Sequence, residues 1–157
     1  MQTQVLPVNE QSIALAAQLL RRGELVALPT ETVYGIAADA RNPEAVKKIF
    51  AAKGRPQDNP LIVHIAGMEM LAGSVSAVPE RARRLAAAFW PGPLTMVLPR
   101  GPEVADVTCA GLDTVGVRMP SHPVVQAVIR ASGGAVAAPS ANLSGKPSPT
   151  NAADTLA

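Results

Sequence analysis

LVALPTETVYGIA, residues 25–37, joins an unbroken apolar run to a polar, turn-forming segment that is rich in hydroxyl groups. The run at residues 25–28 predicts a strand buried on both faces, because no polar residue interrupts it. In open α/β sheets, ligand-binding loops follow the carboxyl ends of strands. The residues after Leu28 are therefore the first candidates for chemistry, and the rest of the chain is expected to build a sheet around this strand.

The bulk composition predicts a single α/β domain. The chain has 157 residues, 48% of them hydrophobic, which is ample material for one core. Aromatic residues make up only 3%, so smaller apolar side chains must fill that core, while 15 prolines and 12 glycines imply many ordered turns. A net charge of +2 permits an anionic partner but falls well short of the strong basic bias that is typical of nucleic-acid binders.

The sequence favours a soluble cytoplasmic protein. Its single cysteine, Cys109, excludes an intramolecular disulfide and is interpreted as a buried, inert thiol. No apolar run approaches the ~20 residues of a membrane span, and residues 1–4 do not resemble a signal peptide. Residues 150–157 are typical of the first turns of a helix but lack a terminating glycine. We therefore expect one domain over residues 1–157 that is truncated at its C-terminal end.

Capping residues and hydrophobic periodicity predict helices that alternate with strands. The clearest helix covers residues 43–53, which Asn42-Pro43-Glu44 begins and Gly54 ends. An earlier helix follows Asn9 as N-cap, without a full capping box because Ser12 stands where a glutamate is expected. Further helices are predicted at 68–71, 79–89 and 123–131, and further strands at 5–8, 61–65, 94–98, 115–119 and 135–138.

Together these elements predict an α/β fold with a single twisted mixed sheet and flanking helices. The strand at 5–8 is expected at an edge of the sheet, because Pro7 lacks an N–H group for the ladder. The helix at 43–53 has a suitable length for a crossover between the strands at 25–28 and 61–65. In the helix at 79–89, Leu85 and Phe89 are expected to face inward.

Several familiar catalytic motifs are absent from the sequence. It has no GxxxxGK[ST] phosphate loop, no GxGxxG dinucleotide motif and no nucleophile elbow. The two histidines, His64 and His122, lie far apart and lack metal-ligand spacing with a cysteine, so a zinc site is not expected. The remaining candidates are cations and hydroxyl-bearing loops.

Several polar segments leave alternatives open when each is taken alone. In Lys53-Gly54-Arg55-Pro56 the cations can complement the helix dipole, or Arg55, held between glycine and proline, can bind a phosphate. Arg118 interrupts an apolar strand, and because an unpaired buried charge is costly it must meet a carboxylate of the protein or of a ligand. Ordinary turns also explain Thr30-Glu31-Thr32, Asn59-Pro60 and Ser140-Ala141-Asn142.

Four motifs, in order, resemble those of one known family. PTETVYGI at 29–36, KGRPQDNPL at 53–61, VGVRMP at 115–120 and APSANLSGKPSPT at 138–150 are similar to the motifs of the L-threonylcarbamoyladenylate synthase family, whose domain is called YrdC-like. The resemblance covers nearly the whole chain. It implies a YrdC-like fold and a nucleotidyltransferase that condenses L-threonine, bicarbonate and ATP to threonylcarbamoyl-AMP and pyrophosphate. That product supplies N6-threonylcarbamoyladenosine (t6A), which lies next to the anticodon of certain tRNAs.

The resemblance also implies roles for individual residues. The signature tetrad of the family falls on Lys53, Arg55, Ser140 and Asn142. The ATP site falls on Arg55, Asn59, Thr114, Ser140 and Ser148. The threonine site falls on Thr32, His64, Arg118 and the backbone of Ala138. These roles make chemical sense, because an arginine suits a carboxylate, hydroxyl and imidazole groups suit other polar atoms, and cations oppose the triphosphate.

Further expectations from the resemblance concern the cofactor and the partners. Mg²⁺ is expected with ATP, although no carboxylate cluster predicts a dedicated cage for it. Proteins that transfer the product to tRNA are expected downstream, direct contact with tRNA is allowed, and no membrane partner is expected. Family members continue with a serine-containing strand segment and an arginine that complete both sites, whereas this sequence ends at Ala157.

Three alternatives to this function remain. The first is an RNA-binding YrdC-like module, which the scarcity of aromatic residues for base stacking disfavours. The second is a carbamoyl-transfer domain that uses carbamoyl phosphate, as in hydrogenase maturation proteins, but their additional zinc-finger-like and acylphosphatase-like parts are absent from this sequence. The third is a paralogue with the same fold and no threonine chemistry.

Overall fold

A computed structural model describes residues 3–54, 60–142, 148–152 and 155. Within them, six strands form one mixed sheet in the order β1-β2-β6-β3-β5-β4. The strands are β1 (Val26–Pro29), β2 (Tyr34–Asp39), β3 (Ile62–His64), β4 (Thr95–Pro99), β5 (Thr114–Arg118) and β6 (Val136–Ala137). The α-helices are α1 (Glu10–Arg21), α2 (Pro43–Lys53), α3 (Leu71–Ser74), α4 (Glu80–Phe89) and α5 (Pro123–Ser132), with 3-10 helices at Met68–Met70 and Asp106–Cys109. The predicted α/β class with a single mixed sheet and flanking helices is confirmed.

Helix α2 connects two strands that run in the same direction. β2 pairs antiparallel with β6, and β6 pairs antiparallel with β3, so β2 and β3 are parallel with β6 between them. β3 also pairs in parallel with β5, which pairs antiparallel with β4. The predicted crossover is therefore present, but it starts from β2. It does not start from β1, because β1 and β2 form an antiparallel hairpin and β1 runs opposite to β3.

Two apolar clusters cover the two faces of the sheet. Neighbouring residues of β2 belong to different clusters: Ala37 packs with Leu20 of α1 and Ile129 of α5, whereas Ala38 packs with Ile49 of α2. This alternation follows from the strand, in which successive side chains point to opposite faces. The sheet is thus a middle layer, with α1 and α5 on one side and α2 and α4 on the other.

Helix α2 has the predicted bounds, and its capping residues explain them. The side chain of Asn42 accepts bonds from the backbone N–H groups of Glu44 and Ala45, and Pro43 occupies the first turn. Gly54 ends the helix with φ at 62°, a left-handed conformation that favours glycine. The apolar face packs into the core through Val46, Ile49 and Phe50. These two ends place Lys53, in the last turn, beside the polar loops described below.

Helix α1 has a capping box that the sequence pattern did not predict. The backbone N–H of Asn9 donates to Ser12 Oγ at 3.0 Å, and the N–H of Ser12 donates to Asn9 Oδ1 at 2.8 Å. The prediction was wrong because it considered only a glutamate as the reciprocal acceptor. A serine hydroxyl also accepts a hydrogen bond and is short enough to do so within one turn.

Two predictions about strands were wrong, and one strand was not predicted. Residues 5–8 form no strand, since Pro7 offers no N–H and the chain turns directly into the capped helix α1. β1 is itself an edge strand that pairs only with β2 among the described residues, and Ala27 is exposed, so the strand is not buried on both faces. β2 was not predicted, because Gly35 and two alanines give it weak strand propensity.

Helix α4 buries small side chains where large ones were expected. Ala82 and Ala86 are buried, whereas Leu85 and Phe89 are 37% and 56% exposed. The prediction was wrong because it chose the buried face by side-chain size, whereas alanines allow the helix to lie close to the sheet. The remaining predicted elements are present, and most of their bounds are shifted by about one residue.

Candidate active site

The loop at residues 30–33 follows β1 and is held by the hydroxyl of Thr30. Thr30 Oγ1 donates to the carbonyl oxygen of Val33 at 2.6 Å and accepts from the backbone N–H groups of Thr32 and Val33, both at 3.2 Å. Local bonds of this kind from a threonine stabilise a turn. The two central residues, Glu31 and Thr32, are therefore held in place, and both contact Arg118.

Arg118 is the last residue of β5 and the buried cation of the site. Only 8% of the residue is exposed. Its Nε donates to the carbonyl oxygen of Gly92 at 3.2 Å, its Nη1 donates to Thr32 Oγ1 at 3.4 Å, and its Nη2 forms an ion pair with the carboxylate of Glu31. Burial lowers the pKa of the guanidinium from its ordinary value, although arginine stays protonated in proteins. Of the two partners considered from sequence, a carboxylate of the protein meets Arg118.

The carboxylate of Glu31 joins the loop to the beginning of helix α5. While Oε1 pairs with Arg118, Oε2 accepts hydrogen bonds from Ser121 Oγ at 2.7 Å and from the backbone N–H of His122 at 2.9 Å. The backbone N–H of Ser121 also donates to Oε2. A carboxylate is favourable at this position because the first N–H groups of a helix lack partners within the helix. Glu31 thereby fixes the loop against two elements at once.

His64 lies beside Arg118 in the parallel pairing of β3 and β5. The residue is 3% exposed, and burial lowers its pKa to about 4, so the imidazole is neutral at neutral pH. Its Nδ1 lies 3.2 Å from the carbonyl oxygen of Ile62. Because a carbonyl oxygen only accepts hydrogen bonds, Nδ1 carries the proton and Nε2 is left as an acceptor.

The structure brings together the residues that the resemblance assigns to threonine. Thr32 and Arg118 are in contact, and His64 occupies the adjacent strand. Ala138 follows β6, one strand further, where its N–H donates to the carbonyl oxygen of Ile62 at 3.1 Å. Three neighbouring strands and one loop therefore supply this predicted set.

A second group of predicted residues surrounds the end of helix α2. Lys53 is 4% exposed, and its Nζ donates to the carbonyl oxygens of Ser140 at 2.5 Å and of Asn142 at 2.6 Å. Ser140 Oγ donates to Asn142 Oδ1 at 2.5 Å. Three of the four residues in the predicted tetrad are thus in mutual contact. The ammonium group of Lys53 holds the backbone of the loop that carries the other two.

Backbone bonds join the start of β2 to this second loop. Ile36 N–H donates to the carbonyl oxygen of Pro139 at 2.9 Å, and Ala141 N–H donates to that of Tyr34 at 2.8 Å. The N–H of Tyr34 donates to the carbonyl oxygen of Pro149 at 2.9 Å. The PTETVYGI and APSAN segments, far apart in sequence, are therefore joined side by side through their backbones.

The remaining nucleotide residues are more dispersed. Thr114 begins β5 and Arg118 ends it, so roughly 13 Å of strand separates them, at ~3.3 Å per residue. Ser148 is exposed and precedes Pro149, which bonds to Tyr34. Two predicted residues, Arg55 and Asn59, lie outside the described residues.

The described part of the chain offers no further metal, thiol or membrane site. No group of three or more His, Cys, Asp or Glu in its described part is arranged to hold a metal ion. Cys109 is fully buried as predicted, and burial raises the pKa of its thiol. Of the helices that the structure describes, none has the length and apolar character that crossing a membrane requires.

Sequence reasoning did not assign Glu31 or its partner Ser121 to the site. Glu31 belongs to the PTETVYGI motif, which taken alone predicts only a polar strand end. One available signal was its position between two threonines at the end of an apolar strand. A second signal was the buried arginine, which required a carboxylate partner.

Comparison with known proteins leads to the same family that the four sequence motifs resemble. The family described as "Telomere recombination" (Sua5/YciO/YrdC) matches residues 18–157. A relative from Bacillus subtilis (strain 168) named threonylcarbamoyl-AMP synthase is 57% identical over 96% of this chain and 44% of its own length. A relative of the same name from Pyrococcus abyssi is 56% identical over 92% of this chain and 43% of its own length.

A solved structure shares the fold. The crystal structure of P. abyssi Sua5 complexed with L-threonine matches with a TM-score of 0.92 and 54% identity, covering 96% of this chain and 44% of that one. The fold expected from the resemblance is thereby confirmed. The chain spans less than half the length of these relatives.

Proposed function

This chain belongs to the Sua5/YciO/YrdC family, and we propose that it carries the catalytic domain of an L-threonylcarbamoyladenylate synthase. The reaction joins L-threonine, bicarbonate and ATP into threonylcarbamoyl-AMP and pyrophosphate. The observation that carries this proposal is the buried guanidinium of Arg118, which lies against a hydroxyl and a carboxylate at the end of a strand. A carboxylate group fits this guanidinium, and every amino acid has one. The P. abyssi relative complexed with L-threonine supports the same substrate.

The amino-acid end of the site is proposed to lie at Arg118, Thr32 and His64. Arg118 presents a planar fork of N–H donors, which matches a carboxylate through two parallel bonds. Neutral His64 offers Nε2 as an acceptor, which suits the hydroxyl of threonine. The backbone of Ala138, next to β3, is proposed to complete this end.

The nucleotide end is proposed to lie at the loop of residues 139–142. Lys53 holds the carbonyl oxygens of this loop, and so fixes Ser140 and Asn142 for contact with ATP. Arg55, Asn59, Thr114 and Ser148 are proposed to bind the nucleotide on the basis of the family resemblance. The proximity of both ends to β2 and β6 supports a reaction between the two substrates.

The chemistry requires no covalent intermediate with the protein. The amine of threonine adds to the carbon of CO₂ and loses a proton, giving a carbamate; if bicarbonate is the reactant, one molecule of water leaves as the carbamate forms. A carbamate oxygen then attacks the α-phosphorus of ATP, and pyrophosphate leaves with the electrons of the broken P–O bond. Positioned donors and fixed positive charge accelerate such steps. Mg²⁺ bound with ATP would neutralise part of the charge of the triphosphate; the described residues contain no group of three or more His, Cys, Asp or Glu that could hold it.

The direct test incubates the full chain with ATP, L-threonine, bicarbonate and magnesium. Mass spectrometry should detect threonylcarbamoyl-AMP, and pyrophosphate release should depend on both threonine and bicarbonate. Absence of the product at saturating substrates would contradict the proposal. If the protein then bound tRNA with a steep salt dependence, an RNA-binding module would be the better description.

A substitution of Arg118 tests the amino-acid end alone. Arg118→Lys keeps the positive charge but loses the paired donors, so the KM for threonine should rise by about 10-fold or more while that for ATP changes little. Arg84→Lys is the matched control, because Arg84 is exposed on α4 and pairs with Glu80 at the surface. Equal increases in both KM values for Arg118→Lys would show that Arg118 does not act on threonine specifically.

The product is proposed to serve t6A formation on tRNA. Threonylcarbamoyl-AMP is a mixed anhydride of a carbamic acid and the phosphate of AMP, so its carbonyl carbon reacts readily with a nucleophile. A transfer protein must therefore consume it, with an adenosine amine of tRNA as the acceptor. Adding such a transfer system and tRNA to the reaction should produce threonylcarbamoyladenosine in the digested RNA.

A further inference from the structure

Glu31 occupies the carboxylate-binding position of Arg118 with a side chain of the protein itself. Its Oε1 pairs with Nη2 of the guanidinium, and its Oε2 accepts bonds from Ser121 and His122 at the start of α5. The side chains of the pair are 10% and 21% exposed, for Arg118 and Glu31 respectively, so the two charges are largely shielded from water. A pair of this kind loses much of its hydration and persists only when its geometry is good.

The two oxygens of Glu31 have different partners. Oε2 receives hydrogen bonds from three donors on the α5 side, two of which are backbone N–H groups. Oε1 pairs with Nη2 of Arg118, whose Nε and Nη1 are held separately by Gly92 and Thr32. A substrate carboxylate that takes the place of Oε1 at Nη2 would therefore leave Glu31 anchored beside the site through Oε2.

We propose that Glu31 is a specificity-determining residue that binds the α-ammonium group of the substrate while Arg118 binds its carboxylate. This inference rests on the proposed function, since it assumes an amino-acid substrate. An amino acid carries both charges, so it replaces one internal ion pair by two ion pairs to the ligand. Neither Glu31 nor Arg118 is then left unpaired, whereas a ligand with only a carboxylate would leave Glu31 without its cation.

The loop geometry supports this role. Thr30 fixes the turn at residues 30–33, so Glu31 and Thr32 present a carboxylate and a hydroxyl on the same side as Arg118. His64, the other group next to Arg118, is neutral and does not attract an ammonium group by charge. Among the described residues, Glu31 is thus the carboxylate in contact with the buried guanidinium.

The test compares two ligands by isothermal titration calorimetry with the full chain. L-Threonine carries both charges, and 3-hydroxybutanoate has the same carbon skeleton without the amino group. The wild type should bind threonine at least ~10-fold more tightly than 3-hydroxybutanoate, and Glu31→Gln should lose this preference by weakening threonine alone. Glu80→Gln is the matched control, since Glu80 is exposed on α4, and it should behave as the wild type.

Other results of the titration would contradict the role of Glu31. If Glu31→Gln binds both ligands more tightly by the same factor, Glu31 only competes for Arg118 and the inference is overturned. If Glu31→Gln keeps the wild-type preference, the residue is only structural. If the wild type binds no threonine, the proposed function itself fails and the inference with it.

A second variant covers the case in which Glu31→Gln does not fold. Ser121→Ala removes one hydrogen bond to Oε2 but keeps the carboxylate. It should reduce the affinity for threonine by about 3-fold or more and leave that for 3-hydroxybutanoate unchanged. An equal change for both ligands would overturn the inference.

Discussion

His64 and Arg118 lie side by side in the sheet, yet burial has different consequences for the two side chains. Burial lowers the pKa of each. The ordinary pKa of arginine is so high that the guanidinium remains charged, and it recruits Glu31 as a partner. The ordinary pKa of histidine is near neutral, so the same effect removes the charge of His64. The site therefore combines one fixed cation with one neutral acceptor.

The pH dependence of stability should report the burial of His64. In the unfolded chain His64 binds a proton near its ordinary pKa of 6.5, whereas in the folded protein it does so only near pH 4. Between these values the unfolded state binds more protons, so the free energy of unfolding should fall as the pH drops, by up to about 3 kcal/mol. Urea unfolding of the wild type and of His64→Asn across this pH range measures the effect.

The control for this experiment is a substitution at Val63, which is adjacent to His64 and has no group that binds a proton. His64→Asn should remove most of the pH dependence, because asparagine has no group that binds a proton in this range. Val63→Ala lowers stability by removing buried methyl groups but keeps His64, so it should retain the wild-type slope. Equal slopes for all three proteins would assign the pH dependence to other groups.

At the scale of single elements, capping residues determine where the helices begin. α1 starts with reciprocal bonds between Asn9 and Ser12, and α2 starts with bonds from the Asn42 side chain to the first turn. α5 starts with His122, whose Nδ1 accepts from the N–H of Val124 at 3.1 Å. The last of these starts lies next to Glu31, so the capped end of α5 also contributes to the site.

Removing the Ser12 hydroxyl from the capping box of α1 should lower the stability of the protein by a small but measurable amount. Ser12→Ala deletes the acceptor for the N–H of Asn9, and the free energy of unfolding should fall by about 1 kcal/mol. Chemical denaturation measures this change. The control is Ser76→Ala, an exposed serine outside the helices, which should stay within about 0.5 kcal/mol of the wild type. A Ser12→Ala protein as stable as the control would mean that water replaces this bond without cost.

Helices and strands that capping or turn residues mark in the sequence were predicted well. Elements that depend on contacts with distant residues were not. α2 has an N-cap, a proline in its first turn and a terminal glycine, all of which act within a few residues. β2 has no such signal, and it is a strand because β1 and β6 pair with it on both sides. The buried face of α4 likewise depends on its distance from the sheet, which sequence periodicity does not contain.

At the scale of the whole molecule, Lys53 connects parts of the chain that are far apart in sequence. Its ammonium group bonds two carbonyl oxygens of the loop at residues 139–142, 87 and 89 residues away. The bonds link the crossover helix α2 to the loop after β6. The same loop pairs with the start of β2 through backbone bonds.

Replacing Lys53 should therefore loosen the loop as well as destabilise the fold. Lys53→Met keeps most of the apolar stem but leaves both carbonyl oxygens without this donor, so the free energy of unfolding should fall by about 2 kcal/mol or more. Amide hydrogen exchange should rise in residues 140–142. Lys47→Met, an exposed position on the same helix, is the control and should change neither measurement. Unchanged exchange in the loop of Lys53→Met would refute the connecting role.

The sequence by itself determined the class of fold, the capped helix α2, the burial of Cys109 and the motifs that identify the family. These features depend on local signals or on residue order, both of which the sequence contains directly. Only the tertiary structure decided that Glu31 pairs with Arg118, that Lys53 bonds the loop of Ser140 and Asn142, and that β2 is a strand. Glu31 and Lys53 have partners more than 80 residues away, and β2 needs the distant β6 as well as the adjacent β1. The choice among several candidate partners follows from the order of the strands in the sheet, which brings particular loops together.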